Sequence, residues 1–342
     1  MKVLLVCGGQ STEHLVSRMS CTNIAKSLDQ SHVFSVLGIT KEGVWYELSK
    51  DITRFEADNW LEGAQVINNE FTFLKSFDVV FPVLHGRFGE DGTIQGLFEM
   101  AGVPYAGCHV LDSAAAMDKI YAKKLWQMAG IKQVKSLYVK KRFDGEFVVV
   151  RDNTDEDRDV AGIIAREIGL PCFIKASRSG SSVGCYKVND EKDIMPMVKE
   201  AGQYDKKIVV EEAIEAIELE CAVLGNDDVI ASRVGQILPH GEFYTYESKY
   251  QDEESATCIP ARVPQDVQDY IRETAVKAFK AVDGHGLARC DFFLDKVTGE
   301  VYLNEINTLP GFTNISMYPQ LMADAGINTT ELINRLLTLG QE

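Results

Sequence analysis

The sequence predicts an α/β protein of two or three domains, on three observations. Val3–Cys7 is an apolar run followed by Gly8-Gly9 and an amphipathic stretch to about Leu28, the strand, turn and helix start of a doubly wound sheet. Asp78–Leu84 is apolar after its first residue, as strands buried on both faces are, and runs into the polar, Gly-rich stretch His85–Gly92. A chain of 342 residues also exceeds one ordinary core.

Composition narrows the function. Hydrophobic residues make up 45% of the chain, and no run is long enough to span a bilayer. The short apolar N-terminus ends in Gly-Gly without the small-residue cleavage pattern of a signal peptide, so it reads as a first strand. A net charge of −16 argues against general binding to nucleic acid or an anionic membrane; an anionic ligand needs a local cluster of Lys and Arg. The eight cysteines are scattered, with no C-x-x-C pair and no zinc-like His spacing. Cys7, Cys172, Cys221 and Cys290 sit inside apolar runs and read as reduced core residues of a cytoplasmic protein.

Taken in order, Gly8–His14 is not G-x-G-x-x-G, so it predicts an anion- or ligand-binding corner without a dinucleotide fingerprint. Glu13 by itself reads as an acid favouring a helix N-terminus. Val33–Thr40 and Gly43–Tyr46 continue the sheet or form a hairpin. His85–Gly92 lies at the carboxyl end of a strand, where α/β domains place ligands, although His85 alone reads as a satisfied structural histidine. Helix resumes at Gln95–Met100, and a short strand or turn at Val103–Tyr105 closes a first domain near residue 116. Lys119–Met128 is a helix; Lys119 by itself is an ordinary surface lysine. Asn153–Ile168 reads as a helix capped by Asn153 or Thr154.

Pro171–Lys175 is a strand ending in a lysine, followed by the Gly/Ser-rich Ala176–Gly184. Small residues let backbone amides approach phosphate oxygens, and a flexible linker is the plainer alternative. The loop lacks the G-K-[ST] of a Walker loop. Strands at Lys207–Glu212 and Glu218–Leu224 bring Glu211, Glu215 and Glu218 close together, as acceptors for an adenine amino group or ribose hydroxyls, or as a merely exposed acidic loop. Phe243–Tyr250 is polar and aromatic and reads as a lid. An amphipathic helix spans Pro264–Val282, and tail helices run through Gln320–Leu339.

Cys290–Leu294 and Val301–Leu303 flank the turn-like Asp295–Glu300 and predict a β-hairpin. With the turn centred on Thr298, Asp291 lies opposite Glu305, and Asn307 shares their face beside Arg289. Three oxygen ligands without His or Cys suit Mg²⁺ with room left for phosphate oxygens. An exposed hairpin with a charged outer face is the alternative.

These motifs together resemble the D-alanine–D-alanine ligases of the ATP-grasp superfamily, nearly end to end. G-G-Q-S-T-E-H-L-V-S, H-G-R-F-G-E-D-G-T-I-Q-G, M-D-K-I-Y-A-K-K-L-W, S-G-S-S-V-G, F-Y-T-Y-E-S-K-Y and L-N-E-I-N-T-L-P-G-F-T stand in the family's order. The resemblance implies an N-terminal preATP-grasp (Rossmann-like) α/β domain, residues 1–116, and an ATP-grasp fold of two α+β subdomains, residues 117–212 and 213–342. It implies ATP and two Mg²⁺ ions as cofactors, with Mn²⁺ able to substitute, and a homodimer formed through the N-terminal domain.

Carried over residue by residue, the resemblance implies that Lys119 and Lys175 hold the α- and β-phosphates, with Ser182 in the loop over them. Glu211, the Ala213–Ile214 backbone and Glu218 would hold the adenosine, and Lys249 would reach the γ-phosphate. Asp291, Glu305 and Asn307 would bind metal, with Glu305 bridging. Glu13 would meet the ammonium of the first D-alanine, with His85 nearby, and Tyr250 and Ser181 would fix the lid. Arg289 and the Gly311 amide would form an oxyanion hole, and Ser316 would hold the carboxylate of the second D-alanine beside Met317.

The implied chemistry is attack of a D-alanine carboxylate on the γ-phosphorus of ATP, then attack of a second, neutral amine on the acyl phosphate. The product is D-alanyl-D-alanine, a peptidoglycan precursor. Two departures from the family stand out: Leu15 where a second acid is usual, and Ala176 where proline is usual. Tyr250 disfavours an ester product and Met317 fits a methyl group better than a hydroxymethyl. A D-alanine–D-serine ligase, another ATP-grasp carboxylate–amine ligase with larger substrates, and a non-catalytic ATP-grasp regulatory protein are the competing readings.

Overall fold

The computed structural model describes residues 1–151, 155–238 and 256–342. The first sheet is built from β1 (Lys2–Gly8), β2 (Val33–Ile39), β3 (Trp45–Glu47), β4 (Gln65–Val66) and β5 (Val79–Pro82), in the order β4-β3-β2-β1-β5. β1 runs parallel to β2 and β5, and β3 folds back antiparallel onto β2, so Gly43–Tyr46 completes a hairpin. Alternate residues of β1 enter different cores. Val3, Leu5 and Cys7 pack with Cys21 and Ile24 of α1 (His14–Ser27). Leu4 and Val6 pack on the other face with Ile94 and Phe98; Leu74 of α2 (Glu70–Leu74) joins them there. Ile94 and Phe98 belong to α3 (Thr93–Ala101), so the sheet is covered on both sides, which is why its central strands are apolar throughout.

α4 (Val110–Met117) leads directly into α5 (Lys119–Met128), the two separated only by Asp118. The second sheet is antiparallel and comprises β6 (Ser136–Lys141), β7 (Phe147–Arg151), β8 (Asp155–Asp157), β9 (Cys172–Ala176), β10 (Cys185–Val188) and β11 (Lys207–Glu212), in the order β10-β9-β11-β6-β7-β8. α6 (Val160–Glu167) and α7 (Ile194–Tyr204) bury Ile163, Ile164 and Val198 against one face.

The helix expected over Asn153–Ile168 is shorter. Asp155–Asp157 pairs as a strand with Val149–Arg151, and helix begins at Val160, with the Asp159 carboxylate accepting from Gly162 N at 3.2 Å. The reason is that the apolar helical spacing starts only at Val160; the acids before it serve as strand and cap. The expected caps Asn153 and Thr154 lie outside the described residues.

The third sheet is antiparallel, in the order β14-β13-β12-β15-β16, from β12 (Ala216–Leu224), β13 (Ile230–Leu238), β14 (Ala256–Cys258), β15 (Leu287–Asp295) and β16 (Val301–Asn307). α8 (Gln265–Ala281) packs Ile271, Ala275 and Phe279 on one face. α9 (Met317–Asp324) covers the other, and α10 (Thr329–Leu339) carries Leu332, Ile333 and Leu336 back onto the first sheet's core. The tail helices are thus shared between the first and third sheets. All eight cysteines are free thiols, and six are buried.

Candidate active site

The β15–β16 hairpin sets the site. Near its tip Leu294 pairs with Val301 and Phe292 with Leu303, so the turn centres one half-step before Thr298. A β-bulge then shifts the register, with Asn304 as the extra residue, and Asp291 pairs with Glu305 and Arg289 with Asn307. The expected Asp291–Glu305 pairing is therefore present, reached by a displaced turn and a compensating bulge. Arg289 lies against Asp291 in a two-pronged pair, Nε–Oδ1 2.7 Å and Nη2–Oδ2 2.7 Å, and its Nε is 3.1 Å from Glu220. Asn307 Nδ2 donates to Asp291 Oδ2 at 2.9 Å.

Among the described residues no group of three or more His, Cys, Asp and Glu side chains is arranged to hold a metal. The Asp291, Glu305 and Asn307 face instead offers two carboxylates and an amide, an all-oxygen set that fits a hard cation whose remaining ligands are phosphate oxygens.

Two lysines approach this face from the second sheet's side. Lys119 opens α5; its Nζ donates to Ser179 O at 2.9 Å and lies 3.5 Å from Glu305 Oε2. Asp118 caps that helix, accepting from Ile120 N, and is held by Ser177 Oγ at 2.9 Å and Lys207 Nζ at 2.6 Å. Lys175, on β9, and Lys123, one turn after Lys119, each put Nζ 2.6 Å from an oxygen of Glu211. Burial alone pushes Glu211 up, but the two ammonium groups outweigh it and hold the carboxylate well below its ordinary range. Burial alone lowers Lys175, and Glu211 outweighs that too, keeping it firmly charged.

Backbone hydrogen bonds close the Gly/Ser loop on itself. Ala176 N donates to Gly184 O at 2.9 Å and Val183 N to Gly180 O at 3.1 Å. Ser181 and Ser182 are held at φ 50° and 60°, a left-handed backbone that costs a non-glycine residue about 1 kcal/mol.

At the other end, Glu13 precedes α1 without capping it, and is buried. A Cβ at Gly86 would sit 2.9 Å from Glu13 Oε2 and one at Gly180 3.7 Å away, so this carboxylate lies between the His85–Gly92 and Gly/Ser loops. His85 is a satisfied buried histidine, as its residue type alone suggests, with Nδ1 2.9 Å from Leu309 O and Nε2 3.1 Å from Ser20 Oγ. Burial lowers its pKa. Ser316 Oγ accepts from Thr313 N at 3.0 Å, and a Cβ at Gly311 would fall 2.8 Å from it. Met317 is buried as the first residue of α9.

One cleft joins these parts: Glu13, His85, Ser181, Arg289, Glu305 and Gly311 line it, with Ser316 and Met317 at the far end. An adjoining cleft, sharing Lys119, Ser181 and Glu305, is lined by Lys175, Ser182, Cys185, Glu218 and Phe293. Glu211, Ala213 and Ile214 do not line either; Glu211 is enclosed by its lysines, and Ala213 N donates to Pro171 O at 3.2 Å. Glu215 is an exposed partner of Lys296. The expected lid residues Lys249 and Tyr250 lie outside the described residues.

Sequence reasoning missed Lys123, Glu220 and Glu90. Lys123 follows Lys119 by one helical turn, and Glu220 follows Glu218 on one strand face, so spacing could have found both. Glu90 lines the first cleft, accepts from Gly86 N at 2.9 Å and is pushed up to about 8 by burial and the Glu13 charge. No spacing rule singles it out.

Residues 2–108 match the family described as D-ala D-ala ligase N-terminus, and residues 125–338 the D-ala D-ala ligase C-terminus. A D-alanine–D-alanine ligase of Acetivibrio thermocellus is 46% identical, over 99% of this chain and 95% of that protein. One from Caldicellulosiruptor bescii is 44% identical over 100% and 95%. Among solved structures, the D-alanine–D-alanine ligase of Coxiella burnetii superposes with a TM-score of 0.86 at 34% identity, covering 100% of this chain and 94% of that one. The VanG D-Ala:D-Ser ligase of Enterococcus faecalis gives 0.87 at 34% identity, covering 99% of each. The chain belongs to the D-alanine–D-alanine ligase family.

Proposed function

We infer that this protein joins two D-alanines into D-alanyl-D-alanine at the expense of ATP, for peptidoglycan precursor synthesis. The observation that carries it is the pair of adjoining clefts, sharing Lys119, Ser181 and Glu305, that brings lysines, an oxygen-ligand face and an acid-and-amide end together, within a chain alike over its full length to D-alanine–D-alanine ligases.

In this reading Lys119 and Lys175 hold ATP phosphates under the Ser181–Ser182 loop, and Glu218 faces the nucleoside. Lys123 and Glu211 keep Lys175 in place, and Lys249 covers the γ-phosphate. Asp291, Glu305 and Asn307 hold two Mg²⁺ ions, or Mn²⁺. When bound, the metal neutralises and orients phosphate oxygens. Glu13 binds the first ammonium, and Ser181 and Tyr250 take the lid role that the family resemblance implies. The first D-alanine carboxylate attacks the γ-phosphorus, and ADP leaves. The neutral amine of the second D-alanine then attacks the acyl carbon. Arg289 and the Gly311 amide stabilise the oxyanion, a donor typically worth about 3 kcal/mol. Phosphate departs with one carboxylate oxygen, and a proton is released.

The acceptor end favours D-alanine. The buried apolar Met317 meets a methyl group, while the close superposition on a D-Ala:D-Ser ligase shows that fold alone does not separate the two acceptors. We extend the reading to three units, residues 1–116, 117–212 and 213–342, each holding one sheet. It also includes a homodimer through the first unit, where Val44 and Met100 are exposed. A cytoplasmic location is supported by the free thiols, and no helix among the described residues is long and apolar enough to cross a membrane.

The intermediate is directly testable. With D-alanine labelled with ¹⁸O in its carboxylate, label is expected in the inorganic phosphate; unlabelled phosphate would exclude an acyl phosphate.

A further inference from the structure

We propose that Ser20 and Asn23, on the first helix, are positioning residues for the ligation half-reaction, acting through the Leu309–Thr313 loop that carries Gly311. The two are three residues apart and so share one helix face. Ser20 is fully buried, and its Oγ lies 3.1 Å from both His85 Nε2 and Phe312 N. Asn23 Nδ2 donates to Phe312 O at 2.7 Å.

The directions of these bonds follow from chemistry. Leu309 O can only accept, so His85 Nδ1 carries the imidazole proton, and burial keeps the ring neutral. Nε2 is then an acceptor, so the Ser20 hydroxyl donates to it, which leaves the Ser20 lone pairs for the Phe312 N–H. Every polar group in the chain Leu309 O–His85–Ser20–Phe312 N is thereby satisfied in one sense only.

Both backbone polar groups of Phe312 are held by α1, and the carbonyl of Leu309 is held by His85. Gly311 lies between these anchors. The Phe312 ring adds a buried contact with Phe81, centroids 6.0 Å apart, and with Tyr318 at 5.7 Å. The loop's far side closes through Thr313 N to Ser316 Oγ. A loop of the third sheet's unit is thus set from the helix of the first, so the amide facing the acyl carbon is placed by residues that touch neither substrate.

This rests on the reading of Gly311 and Arg289 as the oxyanion donors. A misplaced Gly311 amide spares acyl-phosphate formation but slows attack by the amine. Water then competes, hydrolysing D-alanyl phosphate to D-alanine and phosphate, so ADP forms without dipeptide. A merely structural role would lower both half-reactions together with the melting temperature.

The test is the ratio of ADP to dipeptide, with thermal melts, for Ser20→Ala, Ser20→Thr, Asn23→Ala and Arg289→Lys. Wild type is expected to give one ADP per dipeptide. Ser20→Ala and Asn23→Ala are expected to slow dipeptide formation about tenfold and to raise the ratio several-fold, because small displacements of reacting groups cost rate steeply. Ser20→Thr, which keeps the hydroxyl, restores coupling. Asn23→Ala answers the question should Ser20→Ala fail to fold. If Arg289→Lys uncouples while both alanine variants stay coupled, or lose both activities in step with stability, the proposal is overturned and the oxyanion reading stands. If Arg289→Lys also stays coupled, the oxyanion reading fails and this proposal with it.

Discussion

Leu303 and Glu305 are two residues apart on β16 yet face opposite sides of the sheet, because Asn304 between them is the extra residue of a β-bulge. In a regular strand they would share a face, and Glu305 would enter the core with Leu303. The bulge turns Glu305 out, opposite Asp291 and 3.5 Å from Lys119. Bulges beside active sites re-aim side chains in this way.

Glu305→Gln keeps the shape and removes one negative charge from the metal face. Turnover is expected to fall at least about a hundredfold, with Mg²⁺-dependent nucleotide binding weakened and the melting temperature nearly unchanged. Near-normal turnover would remove Glu305 from the metal set.

Glu211 bridges Lys123 and Lys175 in a buried triad. Its folded pKa is depressed, so its contribution to stability is present above its ordinary pKa of roughly 4.5 and is lost as pH falls through the folded value. Removing one member of a buried ion pair costs about 3–5 kcal/mol. Glu211→Gln is therefore expected to destabilise strongly at pH 7, with less difference from wild type in acid; urea titrations across pH check both. An equal loss at every pH would show that charge is not what the residue contributes.

Glu90 is pushed the other way, up to about 8. A raised acid contributes stability that is fully present below its ordinary pKa, roughly 4.5, and is lost as pH rises through about 8. Glu90→Gln mimics the protonated acid and can still accept from Gly86 N. Its melting temperature is expected to exceed that of wild type at pH 9 and to approach it at pH 5. Parallel pH profiles would contradict the shift.

Gly311→Ala tests how tightly the acceptor end is built. The new Cβ falls 2.8 Å from Ser316 Oγ, so the Ser316–Thr313 hydrogen bond must give. A raised KM for the second D-alanine and a reduced kcat are expected, with a small change in the melt. Unchanged kinetics would place the acceptor carboxylate elsewhere.

Much of this was legible in the residues. Apolar strands running into Gly-rich loops located the first sheet, and period-two spacing put Asp291, Glu305 and Asn307 on one face. The register was expected for the wrong local reason, since a bulge leaves no mark in an alternation pattern when the residue concerned, Asn304, is polar. The Asn153–Ile168 helix was overextended because acids suit both a first helical turn and an edge strand. The pairing of Glu211 with Lys123 and Lys175 is not legible locally, because Lys123 is far away in sequence. Ser20 and Asn23 leave no mark in the sequence because their partner, Phe312, is set by how the first unit meets the Leu309–Thr313 loop; Glu90 bonds locally to Gly86 N, but its burial beside Glu13 comes only from packing.

The most direct measurement is ADP release by the purified protein with Mg²⁺-ATP and D-alanine, D-serine, D-lactate or L-alanine, with products identified by mass. Release is expected to require D-alanine, with D-alanyl-D-alanine formed in proportion to ADP. Saturable ATP binding without ADP release on any of these substrates would rule out D-alanine ligation.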